Sequence, residues 1–432
     1  DDSLFLYHDV CTNGIGYVDL MFKTDSIAPE QIPYLGLLKS VLGAVDTENY
    51  SYGELFNEVN ARTGGIAYGI EVYDSATDTD AFRAMFAVRG KALYPEMDFM
   101  FSMIREVLTT SRLDDTKRLY EIIARVKSRA QANLVSAGHS TAVLRGASYA
   151  SPMAAFQDEM AGIGYYQFIE KLEKNFDSCK EEIVKNLRKV MEEVLRPENF
   201  SVSYTGERES LDAVKVQAGE IKKVLFNGQK PEKSSQPSCT KKNEAFKTSG
   251  QVQYVAQSGN FRKKGLEYTG ALEILKVILS YDYLWINIRV KGGAYGCMSG
   301  FKRSGESFLV SYRDPHLKRT LEVYKGVPDY IRAFEADERE MTKYIIGTIS
   351  DMDTPMNPSA KGARSMTAYL QELDYETLSK ERSQIIGAQP ADIRALKPLI
   401  ASVLSDGSLC VIGNEDVLTS EKQMFETLES LT

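Results

Sequence analysis

The chain has 432 residues, too many for one ordinary hydrophobic core, so its length predicts two to four domains. Hydrophobic residues make up 43% of the sequence and charged residues 26%, and no apolar run approaches the roughly 20 residues that span a bilayer, which argues against a membrane protein. The net charge of −8 offers no basic field to a phosphate backbone, which argues against nucleic acid as a partner.

The first part of the chain contains both strand and helix patterns. SLFLYHDVCTNGIGYVDLMF holds two alternating runs that meet at Asn13-Gly14, a dipeptide typical of tight turns, so we predict a β-hairpin. Ser51 and Glu54 form a capping-box signature for a short helix. TGGIAYGIEVY, RAMFAVRG and NFSVSYTG read as strands. Helical periodicity covers about residues 29–45, 95–110, 114–136 and 178–195.

The same order begins again after the polar segment FNGQKPEKSSQPSCTKKNE. A strand (SGQVQYVAQSGNF), a long apolar helix (LEYTGALEILKVILSYDYLW) and two strands (GGAYGCMSGF and SFLVSYRD) are followed by four helical stretches and a closing strand, GSLCVIGNE. We therefore predict an α+β fold with two tandem homologous domains, residues 1–225 and 243–432, joined by a linker at 226–242. Each domain is predicted to be a mainly antiparallel sheet with helices packed on one face.

Two similar phrases occupy the same place in each copy, RTGGIAYG from Arg62 and RVKGGAYG from Arg289. Gly292 and Gly293 allow a sharp turn and a close approach of the backbone to a ligand. The Tyr295 hydroxyl can donate to a developing oxyanion, and the Arg289 guanidinium keeps its charge, so the two side chains could bind a peptide carbonyl. In the structural alternative, Arg289 pairs with a carboxylate or a helix C-terminus and Tyr295 is a half-buried sheet aromatic. Spacing alone favours this alternative, because structural ion pairs are common.

Common catalytic signatures are missing. The three histidines, His8, His139 and His316, have no metal-ligand partner at helical spacing, and HExxH, HxxEH, GxSxG, Walker A and helix-opening GxGxxG motifs do not occur. His316 follows Asp314-Pro315, which we predict to be the N-cap and first residue of a helix. The residues alone therefore predict no metal site in this chain.

Longer stretches of the sequence resemble a known family. LWINIRVKGGAYG, FLVSYRDPHLKRTLEVY and HDVCTNGIGYVDLMF…IPYLGLL…YGELFNEVNARTGGIAYG are similar to the C-terminal half of the presequence-protease subgroup of pitrilysin/insulinase zinc metallopeptidases. The likeness covers essentially the whole chain, and the Arg-x-Lys-Gly-Gly-Ala-Tyr-Gly phrase is its specific part. It implies a clam-shell of four homologous α+β domains around a peptide chamber, with an inverted HxxEH zinc site in the first domain.

The resemblance also implies roles for individual residues. The fourth domain of the family supplies an Arg and a Tyr from this phrase to bind the substrate backbone and stabilise the tetrahedral intermediate. These roles map onto Arg289 and Tyr295, with Gly292 and Gly293 at the same substrate-binding turn. Residues 1–225 correspond to the non-catalytic third domain, so the chemistry is expected in the second copy only.

The implied function is that of the C-terminal half of a metalloendopeptidase that degrades short unstructured peptides in a closed chamber. Its partners would be the peptide and the N-terminal half of the same protein, with neither nucleic acid nor membrane involved. Zinc would be bound in the full-length enzyme by the N-terminal half, so this chain alone is predicted to be inactive. The alternative is a catalytically silent relative that acts as an assembly or peptide-binding subunit. The retained Arg289 and Tyr295 favour the peptidase.

The start of the chain and its cysteines bear on its origin. DDSLFLYHDV has no initiator Met and no basic or apolar targeting region, and it reads directly into a strand, so we expect a fragment of a longer protein. The five cysteines are scattered and never form a CxxC pair, which is typical of a reducing compartment. We expect a bacterial cytoplasm, with an organellar matrix as the alternative.

Overall fold

The computed structural model describes residues 3–431, and its strands form two sheets. The first sheet contains β1 (Phe5–Asp9), β2 (Ile15–Lys23), β3 (Ile66–Asp74), β4 (Phe82–Leu93) and β5 (Phe200–Gly206). The second contains β6 (Glu244–Thr248), β7 (Tyr254–Asn260), β8 (Gly296–Phe301), β9 (Glu306–Tyr312), β10 (Ser408–Asn414) and β11 (Thr427–Ser430).

The two sheets share one topology. Their strand orders are β1-β5-β2-β4-β3 and β11-β6-β10-β7-β9-β8, so the second sheet repeats the first with β11 added at one edge. β1 runs parallel to β5 and β6 parallel to β10, and the next three pairings in each sheet are antiparallel. The two similar phrases therefore lead into equivalent edge strands, β3 and β8.

The helices occupy the long connections between these strands. In the first unit (β1 to α9) they are α1 (Ile32–Val41), α2 (Tyr52–Arg62), α3 (Met97–Thr110), α4 (Thr116–Ser136), α5 (Gly138–Ser148), α6 (Pro152–Ala161), α7 (Ile163–Lys174), α8 (Phe176–Val194) and α9 (Leu211–Lys223). In the second unit (β6 to β11) they are α10 (Ala271–Tyr281), α11 (Lys318–Arg332), α12 (Glu338–Met352), α13 (Pro358–Leu370), α14 (Tyr375–Ile386), α15 (Pro390–Arg394), α16 (Lys397–Ser405) and α17 (Glu415–Ser420). Residues 226–243 form neither helix nor strand. Within the described range, no helix has the length and apolar character needed to cross a membrane.

Each sheet has its main core on one face and a helix from the other unit on the opposite face. In the first unit, α1 and α3 pack on β2 and β4, while the reverse face holds Met21 and Met85 against Met366 and Leu370 of α13. In the second unit, α10, α11 and α16 pack on one face, while α5 of the first unit packs on β7, β9 and β10 from the other side. The α+β prediction is confirmed, and each unit also covers a sheet of its neighbour.

The predicted N-terminal β-hairpin is wrong. Asn13 and Gly14 have φ angles of +54° and +84° and do reverse the chain, as the dipeptide suggests. However, β5 lies between β1 and β2 and pairs with both. Local turn chemistry sets the reversal, but a partner almost 200 residues away decides the strand pairing, since Phe5 is aligned with Val202.

A buried ionic network joins α5 and α6 of the first unit to β6 of the second. Arg145 Nη1 lies 2.6 Å from Asp158 Oδ2, and its Nε lies 2.8 Å from Glu244 Oε2. The Tyr149 hydroxyl donates to Glu244, and Lys242 Nζ lies 3.1 Å from the same carboxylate. Burial alone would raise the pKa of Glu244, but the hydrogen bond and charge of Arg145, helped by Tyr149 and Lys242, lower it to about 2.

Candidate functional site

The segment before β8 has an unusual backbone. The predicted long helix ends at Tyr281, and residues Trp285–Val290 form a π-helix in which Lys291 N donates to Ile286 O at 2.9 Å. π-helical turns are rare and occur frequently at functional sites. Here the turn carries Arg289 on its last part and delivers the chain directly into the glycine pair.

Two glycines turn the chain from the π-helix into β8. A Cβ on Gly292 would lie 2.3 Å from the Ile288 carbonyl oxygen, so no larger residue fits. Gly293 has a φ of +80°, which side chains disfavour, and its N–H donates to Arg289 O at 2.9 Å. Tyr295 N then donates to Tyr312 O of β9 at 3.0 Å. The backbone at both ends of this turn is therefore held by hydrogen bonds.

The side chains of Arg289 and Tyr295 lie next to each other at the surface. The guanidinium carbon is 5.6 Å from the Tyr295 ring centroid and 4.1 Å from the Trp285 ring. The Tyr295 ring meets Tyr312 edge-on, with 5.7 Å between centroids, and 64% of Tyr295 is exposed. Over residues 3–431, no ion pair or hydrogen bond involves the Arg289 guanidinium or the Tyr295 hydroxyl. The structural alternative, which required a carboxylate or a helix end for Arg289 and burial for Tyr295, is not what this geometry shows.

The equivalent phrase in the first unit is structurally satisfied. Arg62 Nη2 lies 2.8 Å from Glu96 Oε2, and the guanidinium stacks 3.7 Å from the Phe99 ring centroid. Tyr68 packs against the main core, with its ring over Gly43, and burial raises its pKa. The same letters are therefore a packing element in the first unit and an open, cationic and hydroxyl-bearing surface in the second.

Sequence reasoning missed two residues of the site. Trp285 precedes Arg289 by four positions, the helical spacing that places side chains on one face, so this contact could have been predicted from sequence. Tyr312 is aligned with Gly296 by the β8–β9 register, which no local pattern indicated. Cys297, next to this turn, is buried; burial raises the pKa of its thiol to about 11 although the Arg289 charge opposes this, so it is protonated at neutral pH.

The histidines do not assemble a metal site. His8 Nε2 is hydrogen-bonded to Ser203 Oγ at 3.0 Å, His139 packs edge-on against Tyr312, and burial lowers the pKa of both. His316 N donates to Asp314 Oδ1, but α11 begins at Lys318, so Asp314-Pro315 do not start the helix as predicted. Within residues 3–431, no group of three His, Cys, Asp or Glu side chains could hold a metal ion. A zinc ion therefore does not fit these residues.

Comparison with known proteins places the chain in a family. The model of the domain associated with M16 peptidases of subfamily C matches residues 1–172, and the model "PreP C-terminal domain" matches residues 243–415. The chain belongs to the pitrilysin family of peptidases. Within this family it corresponds to the C-terminal half of the presequence-protease type, as the resemblance indicated.

Curated relatives of the pitrilysin family extend well beyond the region matched. Protein HypA of Clostridium perfringens is 38% identical over 431 residues, which is 100% of this chain and 44% of that protein. Presequence protease 1 of Arabidopsis thaliana, chloroplastic/mitochondrial, is 29% identical over 99% of this chain and 40% of its own length. The chain thus spans less than half of either relative.

Solved structures show the same fold at low sequence identity. A peptidase M16 inactive domain from Pseudomonas fluorescens matches with a TM-score of 0.64 and 13% identity, over 95% of this chain and 94% of that one. The periplasmic protease PqqL of Escherichia coli matches with a TM-score of 0.62 and 13% identity, over 94% of this chain and 44% of that one. These likenesses bear on the fold alone.

Proposed function

We propose that this chain is the substrate-holding half of a zinc-dependent metalloendopeptidase that degrades short unstructured peptides in a closed chamber. One observation carries the proposal: Arg289 and Tyr295 lie side by side, exposed and without a polar partner within residues 3–431, whereas Arg62 and Tyr68 in the repeated phrase are paired or buried. The presequence-protease relatives support peptide hydrolysis as the activity of the whole protein.

Each residue of the turn has a role in this proposal. Arg289 binds a carbonyl of the peptide backbone in both the ground state and the transition state. Tyr295 donates its hydroxyl hydrogen to the oxyanion that forms on the scissile carbonyl. Gly292 and Gly293 leave no side chain between the peptide and the turn, so the substrate can come close to this backbone.

We further propose the division into residues 1–225 and 243–432 as the third- and fourth-domain equivalents, with 226–242 as linker. The N-terminal half of the same protein would be the main partner and would bind zinc, which supplies Lewis-acid chemistry at the scissile carbonyl. A bacterial cytoplasm or an organellar matrix would be the compartment. The alternative, a silent assembly or peptide-binding subunit, is distinguished by whether that half carries an HxxEH motif.

The chain expressed alone is expected to bind no stoichiometric zinc and to hydrolyse no peptide, because its described residues offer no three-ligand site. Elemental analysis and a fluorogenic peptide assay measure both properties. The same chain joined to its N-terminal half should contain zinc and cleave peptides, and chelation should abolish that cleavage. Stoichiometric zinc in the isolated chain, with chelator-sensitive activity, would contradict the proposal. A full-length protein that never cleaves peptides would favour the silent subunit.

Arg289→Ala in the full-length enzyme is expected to raise KM by about 10- to 100-fold, the range that corresponds to one lost charge-assisted hydrogen bond. A smaller loss in kcat should accompany it, because a loosely held peptide is also misplaced. Steady-state kinetics on one peptide separates the two effects. The matched control is Arg62→Ala, which removes the surface pair with Glu96 and should leave KM unchanged. Equal KM values for the two variants would remove Arg289 from the peptide site.

A further inference from the structure

A groove lies on the second sheet where α5 does not cover it. The main contacts of α5 are with β7, β9 and β10, while β8 forms the edge of the sheet. Between α5 and the β8–β9 pair is a cavity of about 280 Å³. Its walls are mostly apolar and include Val143, Leu144, Met298, Phe308 and Val310.

The groove is continuous with the Arg289–Tyr295 site. Phe308, Val310 and Tyr312 alternate along β9 and therefore share one face of the sheet. At one end of this row, Tyr312 contacts both Tyr295 and His139, whose ring centroids lie 5.7 Å and 4.7 Å from its own. At the other end, Phe308 lines the groove. The row is about 14 Å long, because an antiparallel strand rises about 3.4 Å per residue.

The edge strand offers a path along this row. Within residues 3–431, β8 pairs only with β9, so its outer edge has no strand partner. An extended peptide can add to such an edge through main-chain hydrogen bonds while its alternate side chains enter neighbouring pockets. A peptide held at Tyr295 and extended along this edge would reach the groove after about four residues, since it advances about 3.4 Å per residue.

The size and charge of the groove indicate what it binds. Its volume lies just below the roughly 300 Å³ at which pockets for whole small molecules begin, so it suits a single side chain. The two charged residues in its wall neutralise each other, because Lys302 Nζ lies 2.7 Å from Glu306 Oε2. No net charge is left to attract an ionic group, and the remaining walls favour an apolar one.

We propose that this groove is a subsite for one apolar side chain of the peptide substrate, about four residues from the scissile bond. The inference rests on the proposed function and deepens it: Arg289 and Tyr295 hold the backbone at the reacting carbonyl, and the groove selects among peptides at a distance. Its ligand class is a leucine- or phenylalanine-like residue in an extended, unstructured segment.

The test uses the full-length enzyme and a set of fluorogenic peptides in which a single Leu moves through an Ala/Ser background. One position about four residues from the cleaved bond should raise kcat/KM about tenfold over Ala, the effect of burying part of an apolar side chain. Ala147→Phe, which narrows the groove, should abolish that preference. Met298→Ala, which widens it, should shift the preference from Leu towards Phe or Trp. Val216→Phe, at an exposed valine of α9, is the control and should leave the profile as in wild type.

Opposite shifts in two variants cannot arise from a general loss of stability, and thermal melts of both variants check this directly. A wild-type profile without any preferred position, or one unchanged in both groove variants, overturns the subsite. Failure of the proposed function looks different, since no peptide would be cleaved at all. In that case fluorescence polarisation with the same peptides decides the subsite: Ala147→Phe must weaken binding of the Leu peptide and not of the Ala peptide, or the inference is wrong.

Discussion

Tyr295→Phe in the full-length enzyme is expected to lower kcat on the order of 100-fold, with a much smaller change in KM. The substitution removes one hydroxyl group from a side chain that is 64% exposed. Within residues 3–431 that hydroxyl has no hydrogen-bond partner, so its loss breaks no internal interaction and the melting temperature should not change. A fall in turnover can then be attributed to the missing donor at the oxyanion. Steady-state kinetics and a thermal melt on the same preparation measure both quantities.

The repeat supplies the control for this experiment. Tyr68 occupies the same place in the first unit, leading into β3 as Tyr295 leads into β8. Its ring is packed in the core, so Tyr68→Phe should leave turnover close to wild type. If both substitutions lowered kcat equally, or if Tyr295→Phe lowered only the melting temperature, the phrase would be structural in both units and Tyr295 would have no catalytic role.

Features that depend on neighbouring residues could be predicted from the sequence. The capping box at Ser51 and Glu54 is present at the start of α2, because both hydrogen bonds lie within four residues. The alternating stretch TGGIAYGIEVY forms β3 for the same reason. The region of four predicted helical stretches contains six helices, α11 to α16, because Gly and Pro breaks within an amphipathic pattern are ambiguous from sequence.

Features that depend on distant residues could not be predicted. The insertion of β5 between β1 and β2 is invisible to any local pattern. The periodicity of α5 and α13 shows that each has an apolar face, but it does not show that this face covers the sheet of the other unit. The groove beside β8 exists because of that arrangement, and so it too lay beyond sequence reasoning.

The candidate site shows the same division. Arg289, Gly292, Gly293 and Tyr295 could be named from one phrase, since glycines at a turn have a local cause. The phrase could not show whether the two polar side chains are free or paired, because a partner can come from anywhere in the fold. That distinction separates Arg289 from Arg62, whose partner Glu96 lies 34 positions away.

Arg145→Met is expected to reduce the free energy of unfolding by about 3–5 kcal/mol, the usual cost of removing one partner from a buried ion pair. Arg145 faces two carboxylates whose side chains are almost fully buried, Asp158 at 2% exposure and Glu244 at 1%. Burial opposes the charge on Arg145, but the two carboxylates outweigh it and raise its pKa, so the guanidinium is charged at any working pH. Its removal leaves two buried negative charges with too few donors. Chemical denaturation of the chain measures the loss, and Arg188→Met, whose pair with Asp114 is largely exposed, should change little.

The pH dependence of this loss distinguishes a charge effect from a packing effect. The pKa of Glu244 in the folded chain is about 2, below the usual value of a glutamate, so its contribution to stability is present above the unfolded pKa of about 4.3 and disappears as the pH falls towards 2. Once Glu244 is protonated it no longer needs Arg145. The difference in unfolding free energy between wild type and Arg145→Met should therefore be largest near neutral pH and narrow as the pH is lowered to about 3. A difference of the same size at both pH values would mean that Arg145 stabilises the contact between the two units through its aliphatic stem rather than through its charge.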